Sequence, residues 1–293
     1  MKKGQQRLTL GMLSIMLVLI LTACGTQTQP ESTSNNTQQS QNLQKLPAET
    51  SQAAQELNTQ TTEAPAVTTT APETTNESEE LQEMSIDPTK PMIALTFDDG
   101  PNLDTTPLVL DLLEEYDVKA SFFLIGNNIN MNNKKVIERT YELGCDIHNH
   151  SMTHSDMTKM SAEEIEKEIT TVSNMIENIT GEAPKFFRPP YISVNDTMYD
   201  TIDLTFICGY GCNDWEVSVT AENRAEKVLS QAKDGAIILL HDSSGNTQTV
   251  EALKTIIPSL LEDGYQLVTL TELFEAKGVE LSAEDKNLYS LVE

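Results

Sequence analysis

Asp98 and Asp99 stand side by side at the end of "MIALTFDD", where the apolar run Met92-Ile93-Ala94-Leu95 gives way to Gly100 and Pro101. An acidic residue before glycine often only caps a turn. The run before it favours a second reading. It has the pattern of a strand buried on both faces, as in a parallel sheet, and α/β folds build sites at the carboxyl ends of such strands. Successive strand side chains point to opposite sides, so the two acids could hold two stations around one reacting atom. All four histidines of the chain, His148, His150, His154 and His241, lie at similar places. "HNHSMTH" follows the strand-like "CDI", and His150 and His154 are four apart, a spacing that one helical turn brings to the same side. Two imidazoles and a carboxylate are a common ligand set for catalytic zinc, with a position left for water. Standing alone, H-x3-H also describes a surface pair. His241 closes "AIILLHD", and Arg188 precedes two prolines in "FRPPY", a turn stiffened against helix and ladder alike. "NDW" sets the single tryptophan, Trp215, beside Asp214. Five strand ends carrying polar residues exceed what packing requires.

The elements that position these residues are legible from about residue 90 onward. "MIALTF", "KASFFLIG", "CDIH", "KFFR", "LTFICG", "GAIILLHD" and "YQLVTL" read as strands. Helical patterns lie between them, near 105–116, 133–143, 222–233 and 249–263. The clearest begins at Ser161 with a capping box to Glu164. Ile165, Ile169, Val172, Ile176 and Ile179 follow at helical spacing, and Gly181 ends it. Strand then helix, repeated, means α/β with a parallel sheet, open or closed. The number of units suits a distorted, incomplete (β/α) barrel of about seven strands.

The rest of the 293 residues are of other kinds. Residues 1–23 have a basic head (Lys2, Lys3, Arg7), the apolar "LTLGMLSIMLVLIL" and a small-residue close, the order of a secretory leader. "LTAC" resembles the lipobox of bacterial lipoproteins, which implies cleavage before Cys24 and a lipid thioether on it. An ordinary signal peptide or an uncleaved anchor are the alternatives, and each places the mature chain outside the cytoplasm, held at the membrane if the lipid is present. Residues 24–85 are rich in Gln, Thr, Ser and Pro and cannot bury enough apolar surface to offset ordering entropy. As a random coil such a stalk reaches roughly 40–45 Å. A folded domain over 86–280 and a tail over 281–293 complete the organisation. The formal charge of −26 excludes nucleic acid as an expected partner, because phosphate binding needs clustered Lys and Arg. Cys208 and Cys212 read either as a bridge or as buried thiols, and no cysteine carries an expected catalytic role.

"TFDDGP", "HSMTH", "FRPPY", "NDW" and "LLH", in that order, resemble the polysaccharide deacetylases of carbohydrate esterase family 4, the NodB-homology domain. The resemblance runs from residue 90 to about 277. It implies that Asp98 is the catalytic base, positioned by Arg188, and that Asp99, His150 and His154 hold one divalent metal. Zinc is the expected ion, with cobalt, nickel or manganese as alternatives. It further implies that His241 is the catalytic acid, oriented by Asp214. Trp215 and Leu239 would form apolar walls around an acetyl methyl, and the Tyr191 N–H would meet the oxyanion. Two positions depart from the family: Ile192 stands where a glycine follows R-P-P-Y, and Gly211 replaces the first acid of D-x-x-D-W. His148 reads as a loop residue or as a fourth ligand. The implied activity is hydrolysis of acetyl groups from N-acetylglucosamine of a cell-wall glycan, peptidoglycan first, by a monomer. Chitooligosaccharides, O-acetylated xylan, or glycan binding without catalysis are the alternatives.

Overall fold

The computed structural model describes residues 86–282 and 284–293. The leader, Cys24 and the stalk lie outside the described residues. The first half of the domain runs β1 (Met92–Gly100), α1 (Thr106–Glu115), β2 (Ser121–Leu124), α2 (Lys134–Glu142), β3 (Asp146–Asn149), α3 (Ala162–Thr180) and β4 (Phe186–Phe187). It continues through α4 (Asp196–Thr201), β5 (Thr205–Ile207), β6 (Tyr210–Gly211), α5 (Ala221–Leu229) and β7 (Ala236–His241). The chain ends with α6 (Thr247–Glu262), β8 (Gln266–Leu267), α7 (Leu270–Lys277) and β9 (Leu288–Tyr289). The strands pair in the order β6-β7-β1-β2-β3-β4-β5-β9, with β8 also on β1, and these ladders are parallel. This is the incomplete α/β barrel expected from the alternation of strand and helix. Nine strands are present among the described residues instead of about seven, because β6 and β9 are two-residue strands without a readable period.

Strand periodicity decides what enters the barrel. In β1, Ile93, Leu95 and Phe97 join the core beneath the helices, where Phe97 stacks on Phe122 at 5.1 Å. Met92 and Ala94 face the other way, into the cluster of Phe123, Phe186, Ile207 and Ile237. Thr96 and Asp98 continue that inward row. In β7, Ala236, Ile238 and Leu240 pack outward while Ile237 points in, so Leu239 and His241 follow it inward. Each such aliphatic or aromatic side chain contributes about 1.5–3 kcal/mol by leaving water, and the register this enforces aims Asp98 and His241 at one mouth.

The structure moves the expected end of the domain. Residues 288–292, expected in a tail after residue 280, are built into the sheet. β9 pairs with β5, the Ile237 N–H donates to the Ser290 carbonyl, and the Val292 N–H donates to Gly235. The segment thus spans the gap between β5 and β7. Gly235 permits it: with φ at +82°, an added Cβ would lie 1.9 Å from the Val292 oxygen. Cys145, Cys208 and Cys212 are free thiols.

Candidate active site and metal centre

The two aspartates leave the strand through a bulge. The register of β1 against β2 shifts between Asp98 and Gly100, and Asp99 has φ at 75°. Simple alternation therefore fails here, and both carboxylates turn to one imidazole. The His150 Nε2 lies 3.7 Å from Asp98 Oδ2 and 3.6 Å from Asp99 Oδ1. The Asn128 Nδ2 donates to the Asp99 carbonyl at 2.8 Å, holding the bulge from the loop after β2.

His150 and His154 meet without the expected helical turn. The loop after β3 carries left-handed residues at Ser151 (φ 66°) and His154 (φ 54°), and local hydrogen bonds offset that strain. The Ser151 N–H donates to Asn149 Oδ1, and the His154 N–H donates to Ser151 Oγ at 2.9 Å. Asn149 in turn donates to the Ile169 carbonyl and to Ser173, so α3 supports the loop. The His150 Nδ1–H donates to the Arg188 carbonyl at 2.7 Å, which fixes the tautomer and turns Nε2 inward. His154 Nε2 lies 3.7 Å from Asp99 Oδ1.

Asp99, His150 and His154 thus place one ligand atom each within 4.8 Å of the others. The Asp99 Oδ1 between the two imidazoles is buried with no hydrogen-bond partner, a costly state for a carboxylate oxygen. Tetrahedral ligands about 2.1 Å from a shared cation lie about 3.4 Å apart, close to the 3.6 and 3.7 Å from Asp99 Oδ1 to the His150 and His154 Nε2 atoms. Burial lowers the His150 pKa against the pull of Asp98 and Asp99, so the ring is neutral and able to bind metal. The donor set fits a divalent ion. His148 belongs to none of this. It is buried beneath the site, 4.8 Å from the Phe186 ring and 3.4 Å from Asp146 Oδ2, and is neither a loop residue nor a ligand.

Arg188 is fully buried and donates from Nη1 to Asp98 Oδ1 at 2.6 Å. Its Nη2 reaches Thr96 Oγ1 at 2.8 Å, and its guanidinium lies 4.2 Å from the Phe123 ring centre. Gly209 leaves room, since a Cβ there would meet Leu239 Cβ at 3.0 Å and Arg188 Nη2 at 3.2 Å. Burial favours the neutral form of Asp98, but Arg188 with His150 and His241 outweighs it and holds the acid below the usual carboxylate range.

His241 is the register partner of Asp98 on the adjacent strand. Its Nδ1–H donates to Asp214 Oδ1 at 2.8 Å, and its backbone N–H donates to Asp214 Oδ2 at 2.7 Å. Burial alone would lower the imidazole pKa; the Asp214 hydrogen bond and charge, with Asp98 and Asp99, raise it to about 9. Trp215, 56% exposed, sets its ring edge-on to His241 at 5.6 Å. Leu239 is buried two residues before His241 on the same face. Tyr191, 67% exposed, packs its ring against His154 at 4.8 Å. Tyr191 and Ile192 take φ values of 58° and 54°, so the turn demands the left-handed region even with a β-branched residue in it.

Every residue expected at the site is therefore gathered at one mouth, apart from Cys24, which lies outside the described residues. Thr96, Asn128 and Thr249, whose hydroxyl donates to Asp214 Oδ2 at 2.9 Å, were not foreseen. Asp242 was not either: it is fully buried, accepts a hydrogen bond from the Thr106 hydroxyl, and its pKa is pushed up to about 7 chiefly by burial. Only its place after His241 could have signalled it.

Residues 85–206 match the polysaccharide deacetylase family. The bifunctional xylanase/deacetylase of Pseudobutyrivibrio xylanivorans is 56% identical over 195 residues, which cover 67% of this chain and 32% of that protein. A peptidoglycan-N-acetylglucosamine deacetylase of Bacillus cereus is 37% identical over 199 residues, covering 64% of this chain and 89% of its own. Among solved structures, a family 4 acetyl xylan esterase from Clostridium thermocellum, in complex with a cobalt ion, is 44% identical with a TM-score of 0.67. That match covers 69% of this chain and 98% of the other. The chain spans 32% to 41% of the length of the first curated relatives it matches. With near-complete coverage of the shorter relatives at these identities, the chain belongs to the polysaccharide deacetylases of carbohydrate esterase family 4.

Proposed function

We propose that this protein is a metal-dependent hydrolase that removes acetyl groups from a β-1,4-linked glycan. One observation carries the proposal. The orphaned Asp99 oxygen and two imidazoles lie beside a carboxylate held ionised by Arg188, whose register partner on the next strand is an imidazole held protonated by Asp214. A divalent ion on Asp99, His150 and His154, zinc first, would supply the charge that polarises a water and the acetyl carbonyl. Asp98 accepts the proton of the attacking water, with its carboxylate fixed by Arg188. His241 gives a proton to the departing atom. The Tyr191 N–H meets the developing oxyanion, and Trp215 and Leu239 wall the acetyl methyl.

For the substrate, the secretory leader and the stalk support peptidoglycan, reached from the membrane through a lipid on Cys24. O-acetylated xylan has a specific observation behind it too. Two relatives whose names mention xylan are 56% and 44% identical, against 37% for the peptidoglycan deacetylase. Acetate release from peptidoglycan, chitooligosaccharides and acetylxylan separates the two. Release from at least one glycan, abolished by chelator, is expected; release from acetylxylan alone removes the peptidoglycan assignment. Release from none overturns the deacetylase assignment and leaves glycan binding. Cys24→Ser should move the protein from the membrane to the soluble fraction, and unchanged retention would mean an uncleaved anchor instead.

A further inference from the structure

Arg224, on α5, is 1% exposed, and its hydrogen bonds go to uncharged acceptors. Its Nε donates to the Val219 carbonyl at 2.9 Å and its Nη2 to the Glu216 carbonyl at 3.2 Å. Its Nη1 donates to Asn246 Oδ1 at 2.6 Å and to Thr249 Oγ1 at 2.8 Å. A buried guanidinium without a contacting carboxylate is expensive to keep, so its partners point to what it serves. Thr249 has one hydroxyl proton. Because it accepts from Arg224, that proton is directed to Asp214 Oδ2, 2.9 Å away. Asn246, the other Nη1 partner, donates from Nδ2 to the His241 carbonyl at 2.9 Å. Arg224 therefore grips both sides of the acid pair. It holds the loop that follows Asp214 through two carbonyls, and the turn that follows His241 through Asn246.

We propose that Arg224 and Thr249 are positioning residues that lock Asp214 against His241 Nδ1. They act on one part of the reaction only: the transfer of the His241 Nε2 proton to the leaving nitrogen or oxygen as its bond to the acyl carbon breaks, which leaves the imidazole neutral. The proposal rests on the assignment of His241 as acid. A sugar amine or alkoxide needs that proton, whereas 4-nitrophenolate departs without it.

Thr249→Val keeps the shape and removes the hydroxyl; Thr249→Ser restores it. Arg224→Lys keeps the charge and loses the planar fork. On the glycan that the wild type deacetylates, Thr249→Val should lower kcat about ten- to a hundredfold, with KM and metal content little changed. The ratio of glycan turnover to 4-nitrophenyl acetate turnover should fall by about tenfold or more, and Thr249→Ser should recover it. Arg224→Lys, if it folds, should follow Thr249→Val. An equal loss on both substrates, or a loss on neither, overturns the proposal. A second measurement needs no turnover. The His241 Nδ1–H proton resonance, expected far downfield in the wild type from its 2.8 Å bond to Asp214, should move upfield or broaden away in Thr249→Val and return in Thr249→Ser. An unmoved resonance overturns the positioning role, whereas a wild type that deacetylates no glycan would instead sink the proposed function and leave this readout standing.

Discussion

Asp98→Asn is expected to lower acetate release by roughly two to four orders of magnitude, the scale of a positioned base, while the protein still binds one metal ion. The amide oxygen can keep the hydrogen bond from Arg188 Nη1, now 2.6 Å from Asp98 Oδ1, but it cannot accept the proton of water. Folding should suffer as well. Both partners of this ion pair are buried, and the exchange leaves a guanidinium without its counter-charge, at a cost of up to about 3–5 kcal/mol. A lower melting temperature with full metal occupancy is the expected signature. Asp99→Asn should behave differently, losing the metal first, because Asp99 Oδ1 has no partner other than the imidazoles around it. Metal analysis of both variants decides the matter. Metal lost from Asp98→Asn and kept by Asp99→Asn would reverse the roles of the two acids.

The site was legible in the sequence where a period or a short motif carried it. An apolar run ending in a polar residue marked the carboxyl ends of β1 and β7, whereas the facing of Asp98 and His241 into the barrel emerges from the packing of both strand faces. The His150–His154 spacing gave the right pair for the wrong reason. Two left-handed residues bring the rings together, and a Ser-Asn hydrogen-bond set that no period encodes holds them there. His148 misled because "HNH" offers two histidines two apart on one strand face, and the deeper of them, packed against Phe186, is structural. Partners reached across large sequence distances were not legible: Thr96 to Arg188 across 92 residues, and Thr249 to Asp214 across 35. The same holds for β9, two residues whose only signal is tertiary. Helix α7 was legible and was missed. "YQLVTL" looked like a strand to its end, but Thr269 and Glu272 form a capping box there, and Gly278 closes the helix in the left-handed region.

His241→Ala should cost roughly two to four orders of magnitude in turnover on glycan and erase the alkaline limb of the pH profile, since the limb reports loss of the proton that His241 donates. In the wild type the rate should hold while His241 is charged and fall as pH rises through its pKa. That pKa stands at about 9, held up against burial by Asp214 first and by Asp98 and Asp99 after it. A bound cation beside Asp99 offsets part of the aspartate contribution, so the limb in the metal-loaded protein should lie at or below pH 9. Asp214→Asn removes the largest stabiliser of the imidazolium. The limb should then move to lower pH by about one to three units, the usual effect of a contacting opposite charge, narrowing the bell from its alkaline side only. The acidic limb belongs to Asp98, which Arg188 holds below the ordinary carboxylate range, and it should stay in place. An alkaline limb that does not move in Asp214→Asn would mean that another group supplies the proton. The 2.8 Å contact between Asp214 Oδ1 and His241 Nδ1 would then serve packing and not proton transfer.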